Sequence, residues 1–144
     1  MSEYNQEIID LIRGTISPEY EVPTPVFTRL KGQFLDYLPN KSMECTFVAG
    51  KEFAGLSGDV DAGVVAAAVD QVFVAFAALT AGSLCQPVSL NTTAMRPIPA
   101  DGKPFSVEAR LRHRSKSIIA VDAKVINSAG KTAQTCTSTL LVSR

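Results

Sequence analysis

Residues 60–81 read VDAGVVAAAVDQVFVAFAALTA, and this stretch decides the fold. Wound as a helix, Val64, Val65, Val69, Val72, Phe73, Val74, Phe76 and Leu79 surround the axis together with the alanines, so the predicted helix from Val60 to about Ala81 is apolar on nearly every side. Such a helix belongs in a core. Its many alanines and Gly63 leave little bulk on its surface, which lets a sheet approach its backbone closely. Asp61, Asp70 and Gln71 interrupt the apolar run, so the stretch is not expected to span a membrane.

Working outward, residues 3–13 place Ile8, Ile9, Leu11 and Ile12 among Glu3, Glu7, Asp10 and Arg13 at helical spacing, with Gly14 as the expected end. Pro18, Pro23 and Pro25 interrupt regular structure. Thr28 to Ala49 reads as two extended pieces hinged at Leu38-Pro39-Asn40-Lys41. After the long helix come four predicted strands, Pro87–Met95, Phe105–Arg114, Ser117–Asn127 and Thr132–Val142, with separators short enough for antiparallel hairpins. Alternation is cleanest in the second, where Phe105, Val107, Ala109, Leu111 and His113 share one face and Ser106, Glu108, Arg110, Arg112 and Arg114 the other. On that pattern His113 is a core or interface residue.

The chain has 144 residues, 14 Lys plus Arg against 14 Asp plus Glu, and 46% hydrophobic residues. That length favours one domain able to bury about 70% of its unfolded surface. The charge balance argues against general binding to nucleic acid or a membrane surface. Cys45, Cys85 and Cys136 are odd in number and far apart, which fits buried thiols in a reducing compartment rather than a disulfide framework or a metal motif. The start, Met1-Ser2-Glu3-Tyr4-Asn5-Gln6-Glu7, is acidic and polar where a secretion signal is basic and then apolar. A cytoplasmic protein is expected.

A carboxylate deep in an apolar helix is costly to bury unpaired, so Asp70 either faces solvent, bonds a neighbouring backbone, or serves chemistry. Asp59 and Asp61 precede the helix, where an Asp caps free N–H groups and suits the positive end of the dipole. Asp61 is also a candidate second carboxylate of a site. Arg110, Arg112, His113, Arg114 and Lys116 put five basic side chains in seven residues. They are either a solvated strand face or a phosphate site. The threonines at 132, 135, 137 and 139 read as β-propensity on a sheet face. With a single histidine there is little support for a Ser-His-Asp triad, and nothing calls for a metal or a redox cofactor.

Several pieces together carry a resemblance: Phe53-Ala54-Gly55-Leu56-Ser57-Gly58 before the helix, Gly63 and Asp70 within it, Leu90-Asn91-Thr92-Thr93-Ala94-Met95-Arg96-Pro97 in the next strand, and Gly130-Lys131-Thr132-Ala133 near the end. From about Gly32 to Val142 the chain resembles the hotdog-fold thioesterases of the phenylacetate-degradation type. The resemblance implies an α+β hotdog fold, an antiparallel sheet wrapped around one long central helix with a short N-terminal helix. It implies a single domain over residues 1–144, with 1–27 as helix and Pro-containing lead-in and 28–144 as the hotdog core.

That family carries Asn, Gly three residues later, then His or Gln followed by Gly-Gly, and an acid nine positions after the His or Gln. Here the first Gly falls on Gly58, the second of the pair on Gly63 and the acid on Asp70. Gly55, Asp61 and Ala62 stand where the family has Asn, His or Gln, and Gly. The resemblance implies hydrolysis of acyl-CoA to a carboxylic acid and coenzyme A, with Asp70, and secondarily Asp61, as catalytic candidates. Gly55, Ala62 and Gly63 would lie at the thioester carbonyl, and Arg112, Arg114 and Lys116 at the coenzyme A phosphates. N–H groups near Ala62 to Val64 would polarise the carbonyl. A homodimer or a dimer of dimers is expected, because the family's site is assembled from two chains. The alternative is a hotdog protein that binds acyl-CoA without turning it over. The acyl group is not legible.

Overall fold

The computed structural model describes residues 3–143, so the Met1-Ser2 part of the acidic start lies outside the described residues. Helix α1 spans Glu3–Thr15 and α2 Pro25–Arg29. Strands β1 (Gln33–Leu38) and β2 (Ser42–Phe47) precede the long helix α3 (Ala62–Ala81), and β3 (Cys85–Ala94), β4 (Phe105–Arg114), β5 (Ile118–Ile126) and β6 (Thr132–Val142) follow. One antiparallel sheet runs in the order β1-β2-β4-β5-β6-β3. A long central helix against six antiparallel strands, with a short helix at the N-terminus, is the hotdog architecture.

The helix is apolar because the sheet closes on it. Val65, Ala68, Val69, Val72, Phe73, Phe76 and Ala77 are buried, facing Met43, Cys45 and Phe47 of β2, Phe105, Val107 and Ala109 of β4, and Ile119, Val121 and Val125 of β5. Removing one such valine, isoleucine or phenylalanine side chain from water is worth about 1.5–3 kcal/mol. By length and composition α3 would also pass for a membrane span, despite its interruptions. Its place as the helix under the sheet is set by packing. Asp61 caps its start, accepting from Gly63 N at 2.8 Å. Gly82, at φ 73°, ends it in the left-handed conformation that glycine adopts without a Cβ clash.

Four expectations need correction. Gly14 does not end α1, which continues to Thr15, where the Thr15 hydroxyl donates to Leu11 O at 2.8 Å. Pro25 starts a helix instead of breaking structure, because its fixed φ suits the first helical position and the Thr24 hydroxyl caps Phe27 N. The β3–β4 connection is not a hairpin: β3 pairs with β6 at the far side of the sheet. His113 is exposed, since a register shift between Leu111 and His113 breaks the alternation that would have turned it inward.

The two sheet edges differ. Along β1, α1 supplies partners for the unpaired backbone: Phe34 N donates to Asn5 Oδ1 at 2.7 Å, and the Tyr4 hydroxyl donates to Tyr37 O at 3.1 Å. Along β3, ten residues long, no described element covers the outer side, and Val88 and Leu90 are 55% and 37% exposed.

Candidate functional site

One cleft lies at the N-terminus of α3 and another around Asp70. The first, of about 560 Å³, is lined by Gly55, Asp61, Ala62, Met95, Arg96 and Gln134 among others. The donors here are fewer than the sequence suggests. Gly63 N is taken by Asp61 Oδ1, and Val64 N and Val65 N donate to Asp61 O at 3.0 and 3.1 Å. Of the N–H groups expected to polarise a carbonyl, Ala62 N is the one left with no acceptor among the described residues. Asp61 is exposed and its carboxylate is the cap, so the capping reading holds and a negative charge stands at the cleft.

Asp70 lines a separate cleft of about 470 Å³ with Gly63, Ala66, Ala67 and residues Pro87 to Leu90 of β3. It is half-buried, and burial raises its carboxyl pKa above the ordinary value. No hydrogen bond or ion pair within the described residues holds it. Its neighbour Gln71 is tied down instead, accepting from the Thr24 hydroxyl at 2.6 Å. Eight residues separate Ala62 from Asp70, about 12 Å along the helix axis. A single chain therefore does not bring the helix start and Asp70 onto one reacting atom.

The basic residues are farther still. Arg114 and Lys116 line a cleft of about 480 Å³ with Ala81 and Val142, at the C-terminal end of α3. That is about 28 Å from Ala62 along the axis. Arg112 is 3.7 Å from Asp122, and Arg114 donates to Asn40 Oδ1 at 2.8 Å. Phe73 and Phe76 of α3 are core, while Met95 is 51% exposed in the N-terminal cleft.

Sequence reasoning missed Gln134. It falls in phase with Cys136, Ser138 and Leu140, all buried, and that phase was the available signal. It also missed an apolar cavity of about 300 Å³ under residues 20–25, lined by Ile12, Ile16, Val22, Phe27, Val74 and Ala78 among others.

No protein-family model matches the chain, and no curated protein sequence does either. Solved structures do. The Escherichia coli PaaI protein from the phenylacetic acid degradation operon is 13% identical, with 85% of this chain and 86% of that one covered, at a TM-score of 0.78. A phenylacetic acid degradation-related protein from Ralstonia eutropha JMP134 is 27% identical over 92% of this chain and 98% of its own, at 0.77. The Streptococcus mutans UA159 protein smu.793, solved bound to acetyl CoA, is 14% identical over 87% and 94%, at 0.73. The strong structural neighbours of this chain are thus PaaI-like hotdog proteins of the thioesterase superfamily.

Proposed function

We propose that the protein is an acyl-CoA thioesterase whose site is completed by a second copy of the chain. The observation that carries this reading is Asp70, an unpaired carboxylate with a pKa raised by burial, facing a cleft between the core helix and an open sheet edge. A general base works best with a pKa closer to the operating pH than an ordinary carboxylate's. The acetyl CoA held by a structural neighbour supports a coenzyme A thioester as the ligand class.

In this reading two copies pair along β3, whose unpaired N–H and C=O groups invite another strand, while β1 is blocked by α1. Two-fold pairing sets the α3 helices side by side and antiparallel, so Asp70 of one copy faces the α3 start of the other. Asp70 takes a proton from water, and the oxygen attacks the carbonyl carbon. The carbonyl electron pair moves onto its oxygen, against the Ala62 N–H and the helix dipole. On collapse the C–S bond breaks, the coenzyme A sulfur takes the proton back from Asp70, and the carboxylic acid is released. Arg112, Arg114 and Lys116 would meet coenzyme A phosphates only where the assembly brings this turn to the ligand. Three free, buried cysteines suit a reducing cytoplasm.

A second reading, a binder of acyl-CoA without turnover, is favoured by the Asp61 charge beside the carbonyl position, which opposes an oxyanion. Release of free thiol from a panel of short, medium, long and aromatic acyl-CoAs separates the two. Thiol release with a preferred acyl class is the expected result. Thermal stabilisation by acyl-CoA with no thiol would establish the binder instead.

A further inference from the structure

Gln134 is buried in a way that does not serve stability. It is 4% exposed, and its Oε1 is closed off from solvent with no hydrogen-bond partner among the described residues. An amide removed from water without a partner costs free energy that an apolar side chain of the same shape would not. Gln134 keeps the alternating phase of Cys136, Ser138 and Leu140, and a bulge in β6 lies directly beside it. Val125 pairs with Gln134 but Ile126 with Thr132, so Ala133 is the extra residue. The Ala133 carbonyl leaves the β5 ladder and instead accepts from Met95 N at 2.7 Å and Arg96 N at 3.1 Å. Bulges of this kind re-aim side chains. Here the bulge leaves Ala133 buried beside Gln134, and Gln134 lines the cleft at the start of α3 with Gly55, Asp61 and Ala62.

That cleft lacks a neutral side-chain donor at both positions where relatives of this sequence pattern carry one, since residue 55 is glycine and residue 61 is a capping carboxylate. We propose that Gln134 supplies it: the Gln134 amide NH2, together with the unpartnered Ala62 N–H, binds the thioester carbonyl oxygen and the charge that develops on it. This rests on the thioesterase reading for the identity of the carbonyl. No hydrogen bond fixes the amide, so its last torsion is free to aim the NH2 at a ligand oxygen. A neutral donor also suits a cleft that already holds the Asp61 carboxylate, where it attracts the oxyanion without forming an ion pair with Asp61.

The test uses the full-length protein with Gln134→Met and Gln134→Leu, and two unhydrolysable acyl-CoA analogues. One is a ketone in which carbon replaces the thioester sulfur, and the other is a thioether lacking the carbonyl. The parent should bind the ketone several-fold more tightly than the thioether. Both variants should lose that preference, keep the thioether affinity, melt no lower than the parent, and lose about 10²-fold in kcat. A parent that does not distinguish the analogues, or that binds neither, overturns the proposal whatever the variants do. So does either variant hydrolysing at the parent rate with the ketone preference intact, or losing thioether affinity and melting temperature in step with rate, the signature of a purely structural residue. A parent that prefers the ketone yet releases no thiol from any acyl-CoA leaves the carbonyl contact standing and removes the thioesterase reading.

Discussion

A Cβ atom added to Gly55 would lie 3.2 Å from Asp61 Oδ2, while the other oxygen of the same carboxylate holds Gly63 N at 2.8 Å. The loop glycine and the helix cap are thus one unit: a side chain at 55 pushes on the group that starts α3. Asp61→Asn should keep the cap, because Asn and Asp cap about equally well, and remove the charge that opposes an oxyanion. Hydrolysis should rise with the melting temperature unchanged. Gly55→Asn with Asp61→Gln adds donors but loses the cap, so its rate should rise while stability falls by about 1 kcal/mol. Should folded Asp61→Asn protein hydrolyse more slowly than the parent, Asp61 is catalytic and not merely a cap.

Asp70→Asn keeps the shape and removes the basicity, and should cost about 10² to 10⁴ in rate with the oligomer intact. Burial raises the Asp70 pKa, so the folded chain holds this proton to higher pH than the unfolded chain does. The stability Asp70 contributes is complete below its unfolded value of about 3.9 and is lost as pH rises through the folded value. The melting temperature of Asp70→Asn relative to the parent should therefore climb from acidic to neutral pH. The acid limb of kcat/KM in the parent should lie above the ordinary carboxylate range. A flat difference in melting temperature together with parent-like activity would remove Asp70 from the mechanism.

Val88→Lys with Leu90→Lys places two charges on the open edge of β3, where the parent residues are 55% and 37% exposed. Like charges brought face to face across a strand pair are destabilising. Light scattering on a sizing column should give twice or four times the 15.4 kDa chain mass for the parent and one chain mass for the variant. Thiol release should fall with the assembly. A parent that runs as a monomer at micromolar concentration ends the shared-site proposal.

Arg112→Ala with Arg114→Ala should raise KM for acyl-CoA more than it lowers kcat, because phosphates far from the breaking bond are held equally in ground and transition states. Added salt should weaken parent binding more than variant binding. The side chains already have partners in Asp122 and Asn40, so a small loss of stability accompanies the change. Unchanged affinity at low ionic strength would assign these arginines to the sheet surface alone.

What the sequence determined by itself is what local pattern encodes. An all-round apolar stretch identifies α3 as the core helix, since burial demands it. Alternation locates β4 and β6 at their observed bounds, and the Asp before the helix acts as its cap. Tertiary structure alone decided the rest. Strand pairing depends on long-range packing that alternation does not report, so β3 lies beside β6 and its outer side is left open as an edge. Bulges shift the side-chain phase by one residue, exposing His113 in one strand and burying Ala133 next to the in-phase Gln134 in another. The long helix sets Asp61, Asp70 and the Arg114–Lys116 turn in three clefts, although the resemblance assigns them to one site. Twenty helical residues span about 30 Å, a distance no side chain crosses, which is why the proposed site calls on a second copy of the chain.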